Sequence, residues 1–480
     1  MWILHGFVRQ GREYTFKSDA NLVLEGNRET KKARQHPLVF CYNSSVQQHK
    51  GDVAVTDNIL KKSLDVTYKD FLKEIFVENS KPKWDALTTL FGEIVTGKST
   101  LVSDLSKVLR ENASQAEFKR AQERVSGWLK NYDFVPEVDG WLLKNIPDAG
   151  RDALTFAVDF SDISKVFGGK GMEGMAMGRD GSTGEIRMGH DFICVSLVGA
   201  DYPEALPVYV KLGRGRKGHA EMLNKAISAV MERTEGKGWI VEDRGMDAVE
   251  HLRSLKRDKR KAVIRVKDMC RDAFGDGQRV DASMRSAKFF DVMLHVRTGD
   301  RRAKIRCKPG VIQYCNDPKS KDAVTENVNV LVVESRFDGK SIYLYVVCPE
   351  WVLASPAQMA IYAERAAQAY CDRWQIETSF YVMKQEFALE KARVRTFKRL
   401  ENIFTLCVLA YIYATRFLRK AKGFKNILKH LSDNLETVST KTHALLAGIR
   451  ALVNVPRLRF ISGRPRKRTV DDRQMVFAGF

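Results

Sequence analysis

The segment that spans residues 370–384 reads YCDRWQIETSFYVMK. At 100° per residue of helix, four of its side chains fall within roughly 60° of one another: Tyr370, Arg373, Glu377 and Lys384. One helical face would then carry a carboxylate beside an aromatic hydroxyl and two cations. A carboxylate can hold a divalent metal ion and cations can bind phosphate, and together they suit the breaking of a nucleic-acid backbone. A solvated helix face with an Arg373–Glu377 ion pair has the same spacing, so other parts of the chain must decide.

Two further carboxylates stand at the ends of predicted strands. Asp159 closes the apolar run that begins at Leu154, and Asp243 closes the run that begins at Trp239. Because the carboxyl ends of strands gather the chemistry of an open α/β sheet, both side chains can converge at one edge. Together with Glu377 they could hold two divalent cations through oxygen ligands alone. Such a pair of metal ions activates a water or a 3′-hydroxyl and stabilises the leaving oxygen. Taken singly, each Asp is equally an ordinary strand-end turn residue.

Two neighbouring acids are interpreted differently. Glu242 should point to the opposite sheet face from Asp243, because side chains alternate along a strand. Asp162 follows Asp159 by three residues and is interpreted as a turn or loop-cap residue. Neither is therefore expected to be a metal ligand.

The pattern of elements that must position these residues predicts an α/β fold. Strands and helices alternate between about residues 154 and 267. Residues 270–350 instead hold four strand-like runs with turn residues between them and no intervening helix. This second pattern is typical of an all-β insertion. Helical spacing returns after Pro356 and continues to about residue 418.

The N-terminal part of the chain has a different character. Residues 1–60 are basic and unassigned, and helical spacing follows at 101–110 and at 115–130. Two short helices with many cations suit a small DNA-binding unit, and an ordinary helical hairpin would have the same pattern. The predicted organisation is a basic segment, 1–60; a helical DNA-binding domain, 61–147; the first part of the core, 148–269; the β insertion, 270–350; the second part of the core, 351–420; and a helical and basic tail, 421–480.

Charge indicates the class of partner. The 480 residues include 80 Lys and Arg against 59 Asp and Glu, for a net charge of +21. Such an excess favours a polyanion, either nucleic acid or an anionic membrane. A membrane is disfavoured, because the most apolar stretch, residues 403–414, is too short to span a bilayer and predicts a buried helix. The N-terminus lacks the layout of a signal peptide, and the eight cysteines contain no C-x-x-C pair. We therefore expect a cytoplasmic protein with reduced thiols.

The spacing from Tyr370 to Lys384 resembles the Y-R-E-K signature of the DDE transposases from bacterial insertion-sequence family four. The run FAVDFSD at 156–162 resembles the first-Asp strand of that family, and WIVEDRGMD at 239–247 resembles its second-Asp motif. The resemblance covers roughly residues 95–420, and the Y-R-E-K spacing is its most specific part.

This resemblance implies an RNase H-like catalytic core that is interrupted by a β insertion. It implies a cut-and-paste transposase that cleaves at transposon ends and transfers the 3′ ends into target DNA. The expected partners are double-stranded DNA, as inverted-repeat ends and as target, and a second copy of the chain in a homodimer on paired ends. The expected location is the bacterial cytoplasm, in association with the nucleoid. The resemblance assigns two Mg²⁺ ions, for which Mn²⁺ substitutes, to Asp159, Asp243 and Glu377, and it assigns contacts with DNA phosphates to Tyr370, Arg373 and Lys384.

Two other functions remain open at this point. A non-catalytic DNA-binding protein with the same fold could carry the same three carboxylates. In addition, the run GRGRKG at 213–218 fits G-x-G-x-x-G between a strand and a helix, and Glu242 or Asp243 supplies an acid at the next strand end. That layout is typical of a dinucleotide site and would make the chain an NAD-linked oxidoreductase. The bulky cations inside the run and the loose spacing to the acid favour a basic loop near DNA or a solvated turn.

The C-terminal tail carries one more candidate. Residues 462–468 read SGRPRKR. An extended Gly-Arg-Pro can place an arginine, here Arg464 or Arg466, in a narrow A·T minor groove. A disordered tail that binds phosphates without sequence preference has the same composition.

Overall fold

The computed structural model describes the chain between residues 67 and 417, except for residues 98, 107–113, 166–170, 180–184, 215–217, 297–298, 316–324 and 338. It also describes the backbone of two short strands, β1 (Phe7–Gln10) and β2 (Glu13–Phe16), which pair as an antiparallel hairpin within a unit of their own, Met1–Val53. The predicted basic tail, with Arg464 and Arg466, lies outside the described residues.

A sheet of ten strands runs through the described part of the chain. Its first six strands are β3 (Thr155–Ser164), β4 (Ala176–Arg179), β5 (Ile186–Val198), β6 (Leu206–Leu212), β7 (Trp239–Glu242) and β8 (Lys261–Arg265). They lie in the order β6–β5–β3–β7–β8, and β4 pairs with the start of β5. Strands β3, β7 and β8 are parallel to one another, whereas β5 is antiparallel to both β3 and β6.

The three parallel strands lie at the centre because their sequences are apolar on both faces. Phe156, Ala157 and Val158 of β3 are buried, and so are Val241 of β7 and Val263 of β8. Parallel neighbours need a crossover connection, and two helices supply it. They are α6 (His219–Arg233), which precedes β7, and α7 (Val249–Arg257), which joins β7 to β8.

The region predicted as an insertion continues this sheet. It contains one four-residue helix, α8 (Val280–Ser283), and four strands, β9 (Phe290–Val296), β10 (Gly299–Cys315), β11 (Thr325–Phe337) and β12 (Lys340–Val347). Each strand is antiparallel to the next, and β12 is antiparallel to β8. The strands therefore extend the central sheet beyond β8 rather than forming a sheet of their own.

Helices that precede the sheet pack into the same hydrophobic core. They are α1 (residues 67–75), α2 (Lys81–Gly97), α3 (Val102–Leu105), α4 (Gln115–Asn131) and α5 (Val135–Lys144). The helix predicted at 115–130 is confirmed as α4, which begins with a capping box between Ser114 and Glu117. Of the helix predicted at 101–110, only α3 falls among the described residues. The predicted domain boundary at residue 147 lies inside one compact unit, Ala54–Phe480.

The helices after the sheet carry the Y-R-E-K segment. They are α9 (Glu350–Leu353), α10 (Pro356–Tyr381) and α11 (Phe397–Ile412), and π-helical turns follow α10 at Val382–Glu386 and α11 at Tyr413–Phe417. Ser355 caps α10 by accepting a hydrogen bond from the N–H of Gln358. The apolar stretch at 403–414 is buried, as predicted. No described helix is long and apolar enough to cross a membrane.

One buried side chain joins α11 to the N-terminal helices. Asn402 is fully buried, and its amide nitrogen donates to the carbonyl oxygens of Leu129 and Tyr132 at 2.9 and 2.8 Å. Its carbonyl oxygen accepts from the N–H of Phe134 at 3.2 Å. These bonds satisfy backbone groups where α4 ends and α5 begins, which no intrahelical bond can do. The N-terminal helices are thus fixed to α11, the helix that follows the Y-R-E-K segment.

Candidate active site

Asp159 and Asp243 are neighbours because of the register of two parallel strands. The pairing of β3 with β7 ends at Val158 opposite Glu242. Asp159 is the next residue of β3 and Asp243 directly follows β7, which brings the two side chains together where β7 ends. Their side chains are 20% and 31% exposed, which leaves both accessible from solvent.

Strand β3 corrects two of the sequence-based expectations. The strand continues past Asp159 to Ser164, because its antiparallel partner β5 extends that far. Asp162 therefore lies within the strand, and its interpretation as a turn or loop cap is wrong. Its carboxylate accepts from Ser164 Oγ at 2.9 Å and from Lys384 Nζ at 3.1 Å.

Asp243 is held by a hydroxyl and a cation. Tyr370 Oη donates to Asp243 Oδ1 at 2.9 Å. Arg265, at the end of β8, donates to the same hydroxyl at 3.4 Å and lies 3.8 Å from Asp243 Oδ1. Burial raises the pKa of Tyr370 to about 12, so this hydroxyl stays protonated and remains a donor.

Arg373 links the other two carboxylates. Its Nη1 donates to Asp159 Oδ2 at 3.1 Å, and its Nη2 donates to Glu377 Oε1 at 2.6 Å. The Arg373 side chain is only 6% exposed, and its guanidinium lies 5.3 Å from the centroid of the Tyr370 ring. The Arg373–Glu377 ion pair expected of a solvated helix face therefore exists, but it is part of a larger cluster that reaches the sheet.

Lys384 stands apart from this cluster. It lies in the π-helical turn after α10, so the regular 100° spacing that predicted one continuous face ends before it. Its Nζ contacts Asp162 at 3.1 Å and Glu390 at 3.8 Å. Of the four residues of the predicted face, three surround Asp159 and Asp243, and the fourth faces Asp162 further along β3.

The carboxylates of the site repel one another. Burial, and after it the charges of Glu377 and Asp243, raise the pKa of Asp159 to about 7 against the lowering effect of Arg373. Burial also acts to raise the pKa of Asp243, but Arg373, the N–H of Arg244 and the Tyr370 hydroxyl hold it below its ordinary value. The same arrangement keeps the pKa of Arg373 above its ordinary value, although burial opposes this.

This donor set fits a hard divalent cation. Asp159, Asp243 and Glu377 offer oxygen atoms only, and their mutual repulsion is what a bound cation relieves. Within the described ranges no three Asp, Glu, His or Cys side chains already form a metal-binding group. Arg373 instead engages one oxygen of Asp159 and one of Glu377. Mg²⁺ or Mn²⁺ would therefore compete with Arg373 for these two carboxylates.

Comparison with known protein families also bears on the candidate site. Residues 198–413 match the family model described as the transposase DDE domain. The match supports a DDE transposase. A search of curated proteins found no match. The matched span includes Asp243 and Glu377, whereas Asp159 precedes it. The mixed α/β sheet with this domain fits an RNase H-like core.

The first and last glycines of the G-x-G-x-x-G run are explained by packing and backbone conformation, without a bound dinucleotide. Strand β6, which precedes it, is antiparallel to β5, whereas the dinucleotide fingerprint needs a strand of a parallel βαβ unit. A Cβ on Gly213 would lie 3.0 Å from the carbonyl oxygen of Asp191 and 3.1 Å from the sulfur of Met222. Gly218 has a φ of 95° and precedes α6. Close packing and a left-handed backbone account for these two glycines.

Sequence reasoning missed one residue of the site and misassigned another. Arg265 ends strand β8 directly after the buried apolar run 262–264, and a cation at this strand end is the signal that could have identified it. Asp162 was noticed but misassigned, because nothing in its local sequence shows how far β5 supports β3. His219, which stacks on Phe160 with 4.5 Å between the ring centroids and contacts Asp191 Oδ2 at 2.9 Å, lies beside the residue that follows Asp159.

Proposed function

We propose that this chain is a cut-and-paste DNA transposase of bacterial insertion-sequence family four. In this proposal it cleaves at the ends of a transposon and transfers the 3′ ends into target DNA. The observation that carries the proposal is the meeting of Asp159, Asp243 and Glu377 around Arg373, at the end of a central parallel strand. Mutually repelling carboxylates at a strand end are what metal-assisted phosphoryl transfer needs.

The proposed ligands are Asp159, Asp243 and Glu377. Two Mg²⁺ ions, or Mn²⁺ in their place, would activate a water or a 3′-hydroxyl and stabilise the leaving oxygen. The protein side chains supply position and charge. Tyr370 and Arg265 fix the orientation of the Asp243 carboxylate. Asp159 lies on a central strand of the sheet, which keeps its carboxylate in place.

The proposed substrate is double-stranded DNA, and the net charge of +21 supports it. Lys384 is the better placed of the two predicted phosphate-binding cations, since 18% of its side chain is exposed against 6% for Arg373. The helices from α1 to α5, within the predicted domain 61–147, are proposed as a DNA-binding region for the transposon ends. Two ends must be paired, so we propose a homodimer on DNA.

A cleavage assay tests the proposal. The substrate is a plasmid that carries the DNA flanking this gene, because matching inverted repeats there would be the transposon ends. We expect Mg²⁺-dependent cleavage by the unaltered protein and loss of cleavage on chelation with EDTA. Alanine at Asp159, Asp243 or Glu377 should abolish cleavage and leave DNA binding, measured by mobility shift, largely intact. Glu221→Ala is the matched control, because among the described residues Glu221 forms an ion pair only with Lys225, at a well-exposed position.

The outcomes distinguish the functions left open by the sequence. Cleavage that survives Glu377→Ala would contradict the assigned site. Binding of the flanking DNA without any metal-dependent cleavage by the unaltered protein would favour a non-catalytic DNA-binding protein. The hydrodynamic size of the DNA complex tests the homodimer, which predicts two copies of the protein in each complex rather than one.

A further inference from the structure

Arg373 has its two terminal nitrogens engaged by carboxylates of the proposed metal site. One binds Asp159 and the other binds Glu377, and the side chain is 6% exposed. The third nitrogen, Nε, is buried and has no acceptor among the described residues. Because the side chain is buried and both terminal nitrogens already donate to carboxylates, it presents no exposed, free pair of N–H groups to a phosphate. To bind DNA it must first give up at least one carboxylate.

We propose that Arg373 is an internal counter-cation, which holds Asp159 and Glu377 in the DNA-free protein and competes with divalent cations for them. A DNA phosphate that draws the guanidinium away releases both carboxylates. Metal binding and DNA binding are then coupled through this one side chain. The inference rests on the proposed function, because it takes Asp159 and Glu377 to be metal ligands.

The balance of charge supports this coupling. Three carboxylates meet at the site, and the guanidiniums of Arg373 and Arg265 already offset most of their charge. Two divalent cations added to this group would leave it with excess positive charge. The phosphates of DNA supply the missing anions, and a guanidinium pairs with phosphate as well as with carboxylate. Metal ions and DNA therefore favour each other, whereas metal ions and the seated guanidinium exclude each other.

Thermodynamic linkage gives the direction of each effect. If DNA raises the affinity for metal by some factor, metal raises the affinity for DNA by the same factor. Couplings of this kind are typically about 5- to 150-fold. Removal of the guanidinium should mimic the DNA-bound state and tighten metal binding in the absence of DNA. If Arg373 instead only arranges the ligands for the metal, its removal should weaken metal binding.

The test measures Mn²⁺ affinity by isothermal titration calorimetry and by electron paramagnetic resonance of free Mn²⁺. We compare the unaltered protein with Arg373→Gln, each alone and with a short blunt-ended duplex of mixed sequence. We expect Arg373→Gln without DNA to bind Mn²⁺ about tenfold more tightly than the unaltered protein, within the usual range of such couplings. The duplex should tighten Mn²⁺ binding to the unaltered protein, and by a smaller factor in the variant.

Three further proteins make the result interpretable. Arg365→Gln removes a charge from the same helix, where Arg365 binds Thr155 Oγ1 at 2.8 Å and no site carboxylate, and it should leave Mn²⁺ affinity unchanged. Asp159→Ala should lower the affinity, which confirms that the titration reports this site. Arg373→Lys keeps one charge but cannot bridge both carboxylates, and it should give an intermediate affinity. Thermal melts establish that each variant is folded, and Arg373→Lys carries the test if Arg373→Gln is not.

Unchanged or weaker Mn²⁺ binding by folded Arg373→Gln overturns the inference. So does an affinity of the unaltered protein that the duplex does not alter. Either result, together with metal-dependent cleavage by the unaltered protein, leaves the proposed function standing. An unaltered protein that neither binds Mn²⁺ nor cleaves DNA contradicts the proposed function itself.

Discussion

Strands β10 and β11, which lie in the predicted insertion, and the candidate active site each hold a cluster of arginine and carboxylate side chains, and the two clusters differ in the ratio of donor side chains to carboxylates. In the insertion, the single carboxylate of Glu334 is completely buried and accepts from Arg306, Arg336 and Ser341. The Phe289 ring lies 4.5 Å from the guanidinium of Arg306 and 4.6 Å from that of Arg336. Donors outnumber acceptors there, so the acid is fully satisfied.

At the active site three donor side chains serve three carboxylates, so each carboxylate has fewer donors than Glu334 has. Arg373 serves both Asp159 and Glu377, and Asp243 depends on Tyr370 and Arg265. The carboxylates retain unused oxygen atoms, and burial together with the charges of Glu377 and Asp243 raises the pKa of Asp159 to about 7. A cluster that serves stability satisfies its charges internally, whereas this one leaves negative charge for a further cation. The contrast separates the two clusters more clearly than burial does.

The largest expected effect breaks the insertion cluster. Glu334→Gln leaves two guanidiniums without their carboxylate, and we expect it to lower the free energy of unfolding by about 3–5 kcal/mol. Urea unfolding followed by circular dichroism measures this. Glu350→Gln is the control, because Glu350 is 60% exposed beside Lys256 and should contribute about 1 kcal/mol or less. Equal losses in the two variants would show that the buried cluster is not a stability element.

The active-site cluster should behave in the opposite way. Asp159 has a pKa of about 7 in the folded protein against an ordinary 3.8. As pH rises, the unfolded chain therefore loses this proton at a lower pH than the folded protein does. Its contribution to stability is therefore lost as pH rises from about 4 to about 7. Asp159→Asn removes that loss. Relative to the unaltered protein in EDTA, the variant should gain up to a few kcal/mol in unfolding free energy between about pH 5 and pH 8. A gain equal at both pH values would contradict the raised pKa.

A smaller effect concerns DNA. Lys384→Gln should weaken duplex binding and lower the slope of log affinity against log salt by about 0.9, the value for one phosphate contact. Arg336→Gln removes a cation of the insertion cluster that is 45% exposed, and it should leave the slope unchanged. Fluorescence anisotropy across a salt series measures both. If Arg336→Gln lowers the slope as much as Lys384→Gln does, the insertion cluster also contacts DNA.

The smallest expected effect concerns the aromatic hydroxyl. Tyr370→Phe removes one hydrogen bond to Asp243 and should lower the free energy of unfolding by about 0.5–1.5 kcal/mol. If the hydroxyl orients Asp243 and does not bind phosphate, DNA affinity should stay the same while the cleavage rate falls. A loss of DNA affinity as large as that of Lys384→Gln would return Tyr370 to the phosphate-binding residues.

The sequence predicted those parts of the site that depend on local periodicity. Asp243 at a strand end and the helical spacing of Arg373 and Glu377 could be inferred because a strand and a helix each have a fixed period. The contact of Arg265 with Asp243 depends on β8 lying beside β7, which the local pattern does not contain. The place of Asp162 depends on the length of β5 and on the π-helical turn that carries Lys384. Both are consequences of long-range pairing or of a local change in hydrogen bonding.

The fold shows the same division. The alternation of strands and helices predicted an α/β architecture, and the four strands after residue 270 were recognised individually. Their attachment to the core through the pairing of β12 with β8 was not predictable, because the two strands are far apart in the sequence. The docking of α4 and α5 on α11 likewise depends on the buried amide of Asn402, a residue with no special local signal.

The parallel pairing of β3 with β7 has a consequence for sequence length. Asp159 and Asp243 each follow the last paired residue directly, so a shared ladder of backbone hydrogen bonds aligns the two carboxylates. Because alternate residues face opposite sides of a sheet, one added or deleted residue in either strand would turn its carboxylate away from the other. Substitutions within 155–158 or 239–242 can keep the alignment, whereas a change of length cannot. Active descendants of this chain should therefore vary in composition along these two strands but not in the number of residues.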